Sequence, residues 1–130
     1  MLKRIARREE GQALVEFALV APILFLILFG IVQFGIAFKH SIALTDAVRA
    51  GARKATVSRT LADPTAATTS AVLSAASDLD PDKVDVTVDS GWTPGANVTV
   101  TATYPYDINI LGIVVASGDL HSATTERVEY

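Results

Sequence analysis

From Phe17 to Val32 the chain reads "FALVAPILFLILFGIV", without one charged or strongly polar side chain. Gln33 interrupts the run, and Phe34 to Phe38 resumes it. A helix over residues 13–38 would be roughly 39 Å long. A hydrocarbon core is about 30 Å thick, so such a helix crosses a membrane with some tilt. The run is too long for the apolar region of a cleaved secretory signal, which holds about 7–15 residues. The spacing therefore predicts a transmembrane segment over 13–38.

Charge is divided around this segment. Residues 1–57 carry eight Lys and Arg against four Asp and Glu, a net +4. Residues 58–130 carry three against ten, a net −7, which together give the chain's −3. Lys3, Arg4, Arg7 and Arg8 precede the apolar run, and only Lys39 follows it closely. The positive-inside rule puts the N-terminal side in the cytoplasm and the remainder outside. The acidic C-terminal part argues against a nucleic-acid partner. With no cysteine there is no disulfide framework.

Three further regions have readable periodicity. "FKHSIALTDAVRAGARKATV" has an alanine-rich side, with Arg49 and Arg53 on another, and extends the apolar helix to about residue 57. "DPTAATTSAVLSAASDL" predicts a second helix from Pro64 to Leu79, with Asp63 as N-cap and Ala71, Val72, Ala75, Ala76 and Leu79 as its apolar stripe. "VDVTVDS" and "NVTVTATYPYD" alternate with period two, and "GWTPGA" between them reads as a hairpin loop. "INILGIVVA" is apolar and reads either as a turn of helix under the sheet or as a short strand. "LHSATTERVEY" reads as a third, Thr-rich strand. The expected fold class is α+β: a long N-terminal helix whose first half spans the membrane, a short second helix, and an antiparallel sheet of about three strands.

Glu16 lies just inside the apolar run. An uncompensated carboxylate in a bilayer costs about 2.5–3.5 kcal/mol on insertion scales, and a helix N-terminus offsets part of that. Cleavage after Gly11 would make Gln12 the N-terminus, Glu16 the fifth residue and Phe17 the sixth. The free α-amino group of a neighbouring subunit would then offer Glu16 a full opposite charge. Such a pairing also sets axial register, because a buried charge tolerates few positions.

A basic leader, a glycine, and a helix with Glu at its fifth place and Phe beside it form the pattern of a class III prepilin signal. "GQALVEFALVAPILFLILFGIVQFGIAF" resembles the N-terminal segment of TadE-like minor pilins, or pseudopilins, of tight-adherence (Flp-type IV) pilus systems. "DAVRAGARKA" and the C-terminal Arg127-Val128-Glu129 also resemble that family. The resemblance is strong over residues 8–57 and loose beyond them. It implies a prepilin leader over 1–11, cut by prepilin peptidase between Gly11 and Gln12. It implies a pilin-like long helix over 12–57 and an extracytoplasmic α+β domain over 58–130. Implied partners are the major pilin, a second TadE-like subunit, prepilin peptidase and an inner-membrane assembly platform. The major fibre subunits of such systems are mostly helix alone. The added bulk here would crowd a thin fibre, which fits a tip, base or initiator position better.

Other residues invite specific tests. Pro22 removes a helix hydrogen bond, giving a kink or melted turn for leaving the bilayer, or simply a static bend. Arg49 and Arg53 read as a partner contact or as a solvated face, Arg49 having Asp46 three residues before it. Gln33 reads as a hydrogen-bonding group between helices or, the favoured reading, as a marker of the membrane exit. Trp92, at the hairpin loop, reads as an adhesive contact or as a ring folded onto the sheet. Asp78, Asp80 and Asp82 begin like a calcium loop, but Lys83 stands where the turn needs glycine and Asp89 where glutamate is needed. No metal or cofactor is therefore expected. His40 and His121 belong to no nucleophile–base set, so no enzyme is expected. The alternative reading is a signal-anchored envelope binding module or adhesin outside any fibre.

Overall fold

A computed structural model describes the backbone of residues 2–130 and the side chains of residues 11–130. Helix α1 is unbroken from Leu2 to Thr56, 55 residues and about 82 Å of axis. It begins earlier than the expected residue 13. "LKRIARREE" consists almost wholly of strong helix formers, and the single Gly11 weakens a helix by only about 1 kcal/mol. At the far end, Ser58 Oγ donates to the Lys54 carbonyl at 2.6 Å. The Glu129 N–H donates to the Thr56 carbonyl at 2.9 Å. Ser58 and the C-terminal segment thus each bond one carbonyl of the last helical turn.

Helix α2 runs from Pro64 to Ala75. Asp63 caps it, Oδ1 accepting from the Ala66 N–H at 2.9 Å, with Pro64 at the first helical position. It stops four residues short of the expected Leu79. Ala75, expected on the apolar stripe, is exposed, and the buried face is Thr68 and Val72, continued by Ala76 and Leu79 beyond the helix. A 3-10 turn over Pro81–Lys83 follows, with Asp80 Oδ1 accepting from the Asp82 N–H.

The sheet has three antiparallel strands in the order β1 (Asp85–Ser90), β2 (Asn97–Ile110), β3 (Ile113–Arg127). The β1–β2 loop turns on Pro94-Gly95, with Gly95 at φ 78 and the Ala96 N–H donating to the Thr93 carbonyl at 3.0 Å. The ambiguous "INILGIVVA" is strand, turn and strand: it closes the long β2–β3 hairpin. Leu111 (φ 53) and Gly112 (φ 88) form its two-residue turn, and positive φ at both places is what such a turn needs. Asn109 Oδ1 accepts from the Gly112 N–H at 2.8 Å. Ile108 faces Ala116 while Asn109 faces Val114, so Val115 is the extra residue of a bulge. A left-handed conformation costs an ordinary L-residue about 1–2 kcal/mol, so leucine is an expensive choice at 111.

The core lies between the C-terminal half of α1, α2 and one face of the sheet. Leu44, Ala47, Val48, Ala52 and Ala55 of α1 meet Val98, Val100, Ala102 and Tyr104 of β2, with Val72, Leu79 and Val128 closing it. Val84, Val86 and Val88 pack at its edge, on the face their alternation predicted. Residues 58–130 therefore share their core with α1. Gly51 lets α2 approach: a Cβ there would overlap Val72 Cγ2.

Candidate functional site

Two surfaces stand out, one at each end of the apolar segment of α1. Helix α1 is long and apolar enough to cross a membrane. From Leu14 to Phe38 its large apolar side chains are exposed, Leu19 at 70% and Phe38 at 68%. A continuous apolar surface of this length must be covered by lipid or by other chains.

At the N-terminal end, Gly11, Gln12, Glu16 and Phe17 are all exposed. Nothing lies within 4 Å of where a Gly11 Cβ would be, so the 11–12 peptide is open on that side. Gln12 Nε2 donates to Glu16 Oε1 at 3.2 Å, one helical turn away. Among the described residues no ion pair reaches Glu16. Its charge therefore has one neutral amide as partner, weaker than a charged one. Pro22 lies within unbroken helix. Because proline has no N–H, the Ala18 carbonyl receives no bond from position 22.

At the other end the β2–β3 hairpin runs back along α1. His40 and Tyr104 meet edge to face, ring centroids 5.4 Å apart. Further along α1 toward its N-terminal end, Phe34, Ala37 and Phe38 line a groove with Tyr106, Ile108 and Leu120. Further still, Gln33 Nε2 donates to the Asn109 carbonyl at 2.8 Å. Gln33, expected to mark the membrane exit or to bond across helices, bonds instead to a backbone carbonyl of the hairpin. Beyond this bond Leu111, Ile113, Val114 and Val115 are all exposed. The Tyr106 ring covers the backbone of its cross-strand partner Gly118.

The remaining candidates sit on the domain surface. Lys39 Nζ pairs with Asp78 Oδ2 at 3.2 Å, tying α1 to the segment after α2. Arg49 Nη1 lies 3.6 Å from Asp46 Oδ1, both exposed. Arg53 is exposed on the same face one turn on, and no ion pair reaches it among the described residues. Trp92 (φ 51) does not stand out as a tip. It is half-buried against the core, and its N–H donates to Ser90 Oγ at 3.0 Å. Asp80 pairs with Lys83, and Asp78 with Lys39. No three His, Cys, Asp or Glu side chains converge on a metal position among the described residues. Sequence reasoning missed the role of Gln33 and the hairpin turn. The available signal was Asn109-x-x-Gly112 inside an apolar run, the residue types of a tight turn.

Residues 11–53 match the family model described as TadE-like protein. The match covers 43 of the 130 residues and begins at Gly11. It ends within the part of α1 that forms the domain core. Over this third of the chain, the sequence is similar to TadE-like proteins. No curated protein and no solved structure matches the chain.

Proposed function

We propose that this TadE-like chain is a minor pilin or pseudopilin, a structural subunit of a tight-adherence pilus or secretion machine. The observation that carries the proposal is the family match beginning at Gly11, on a helix whose apolar face is uncovered and whose Glu16 has no charged partner among the described residues. In this reading prepilin peptidase cuts after Gly11 on the cytoplasmic side. The mature subunit stays in the inner membrane by α1, with residues 58–130 outside. Assembly then brings Glu16 to the new α-amino group of a neighbouring pilin subunit, replacing the weak Gln12 bond with an ion pair that sets register. Because the large apolar side chains of α1 ahead of Gln33 are exposed, that part of the helix is free to pack among other helices, as assembly against the major pilin or a second TadE-like subunit requires. Pro22 supplies a point where the helix yields on leaving the bilayer. Arg49 and Arg53 face outward for a partner subunit. The bulk of the sheet domain favours a tip, base or initiator position.

The test is the N-terminal sequence and intact mass of the protein from native-host membranes, beside Gly11→Ala and Glu16→Ala variants. The expected result is a start at Gln12, lost in Gly11→Ala, with Glu16→Ala cut but absent from assembled complexes. An uncut leader in a host with active prepilin peptidase would overturn the reading in favour of an anchored binding module.

A further inference from the structure

We infer that the β2–β3 hairpin tip is a second membrane contact, its apolar turn seated at the headgroup–acyl boundary of the leaflet from which α1 emerges. The inference rests on the reading of α1 as a membrane anchor. The partner is phospholipid, and four observations identify it.

The first is position. Tyr104 lies beside His40 and the Asn109 carbonyl is bonded to Gln33, so β2 runs antiparallel to α1, toward its membrane segment. The turn lies two residues beyond Asn109, about 7 Å further along the strand. Gln33 itself sits within the apolar stretch of α1, so the turn is carried to the depth of the anchor. The second is continuity. Leu111, Ile113, Val114 and Val115 are 54–70% exposed, and the hairpin leading to them shares an apolar groove with the exposed Phe34 and Phe38 through Ile108 and Leu120. The third is charge. No charged residue occurs from Ile108 to Gly118, while Asp107 and Asp119 flank the segment on the two strands. Tyr106 stands beside them, at the level where aromatic residues favour the interface. The fourth is the leucine at φ 53. Asparagine or glycine fits that position without strain, so a large exposed leucine there is best explained by an apolar medium around it.

The same physics limits the depth. Strand edges exposed to hydrocarbon leave backbone groups without partners. Gln33 satisfies one such carbonyl, and the rest require water or headgroups. Insertion is therefore shallow, about 5–10 Å, the depth usual for interfacial elements.

The chain has no cysteine, which permits site-directed spin labelling of the full-length protein. Leu111→Cys, Ile113→Cys, Leu24→Cys and Asp89→Cys are labelled and placed one chain per phosphatidylcholine nanodisc, with Trp92 fluorescence as the folding control. Collision with dissolved oxygen is compared with collision with a water-soluble nickel chelate. The expected result is oxygen exceeding the chelate at 111, 113 and 24, with the order reversed at 89. Labels at 111 and 113 behaving like 89, while 24 stays membrane-like, would overturn the inference and leave the anchor reading intact. A water-like label at 24 would remove both. Shielding of 111 and 113 that appears only with two chains per disc would assign the patch to a second copy and overturn the lipid assignment.

Discussion

Gly51 of α1 lies directly against Val72 of α2, and the sign of one substitution there tests the packing. Glycine inside a helix is less stable than alanine by about 0.5–1 kcal/mol. On helix propensity alone, Gly51→Ala should stabilise the protein by that amount. The added Cβ would, however, overlap Val72 Cγ2, and Val72 is fully buried. Overpacking of this kind costs about 1–3 kcal/mol. The two terms oppose each other, and the contact should win, for a net loss of about 1 kcal/mol. Val72→Ala removes the obstructing methyl. Alone it should destabilise by about 1.6 kcal/mol for two lost carbons, plus a cavity penalty. In that background Gly51→Ala should change sign and stabilise by about 0.5–1 kcal/mol. The coupling between the two sites then equals the overpacking term, about 1–3 kcal/mol. Urea unfolding of the full-length protein in detergent gives all four values. The sole tryptophan, Trp92, packs on the same core and reports the transition. If Gly51→Ala stabilises the otherwise unaltered protein, or has the same effect in both backgrounds, α2 does not sit against α1 in this way.

Four further outcomes are expected. Asp63→Ala should cost about 1 kcal/mol by leaving the Ala66 N–H uncapped, and Asp63→Asn should keep most of it; the same unfolding measurement decides. Leu111→Asn should stabilise the protein in detergent by about 1 kcal/mol, since asparagine tolerates φ 53; a loss would mean the turn is not left-handed. Gln33→Leu should remove about 1 kcal/mol from the hairpin by breaking the bond to the Asn109 carbonyl. Amide exchange should then quicken around 108–116 while the core around Val100 is unchanged. Trp92→Ala should lower stability by about 2 kcal/mol in urea unfolding followed by circular dichroism, below the 3–5 kcal/mol typical of truncating a fully buried Phe or Trp; no change would return Trp92 to the role of an exposed contact.

The elements that periodicity located correctly are those whose burial is one-sided. Val98, Val100 and Ala102 alternate with threonines because one face meets α1 and the other meets water. Asp63-Pro64 marks the start of α2 because a side-chain cap and a fixed φ act within four residues. The errors have equally local causes. Helix α2 is four residues shorter than its apolar stripe predicts because Ala76 and Leu79 are buried after the helix has ended. "INILGIVVA" was ambiguous because both faces are apolar, which erases the period that distinguishes strand from helix. Its residues are apolar on both faces at a place where the hairpin has left the domain core.

Gln33 and Glu16 show why the polar residues of the span were only half legible. Each interrupts apolar sequence near one end of the segment, and from composition alone the two look alike. Gln33 is satisfied within the chain, by a carbonyl 76 residues away that no local pattern reveals. Glu16 is not satisfied in the same sense: a neutral amide one turn away accounts for one lone pair and none of the charge. The fold therefore separates two roles. The neutral polar group binds the chain to itself and fixes how far the hairpin descends along α1. The charged group, at the opposite end and clear of the sheet, has no cation beside it among the described residues, and in the assembly proposed here a neighbouring subunit supplies one. A Glu16→Gln variant separates these needs: it keeps the Gln12 bond and removes the demand for a cation. Folding and membrane insertion should then be unchanged, while co-purification with partner subunits is lost. Retained assembly in Glu16→Gln would mean that the carboxylate charge does not set the register.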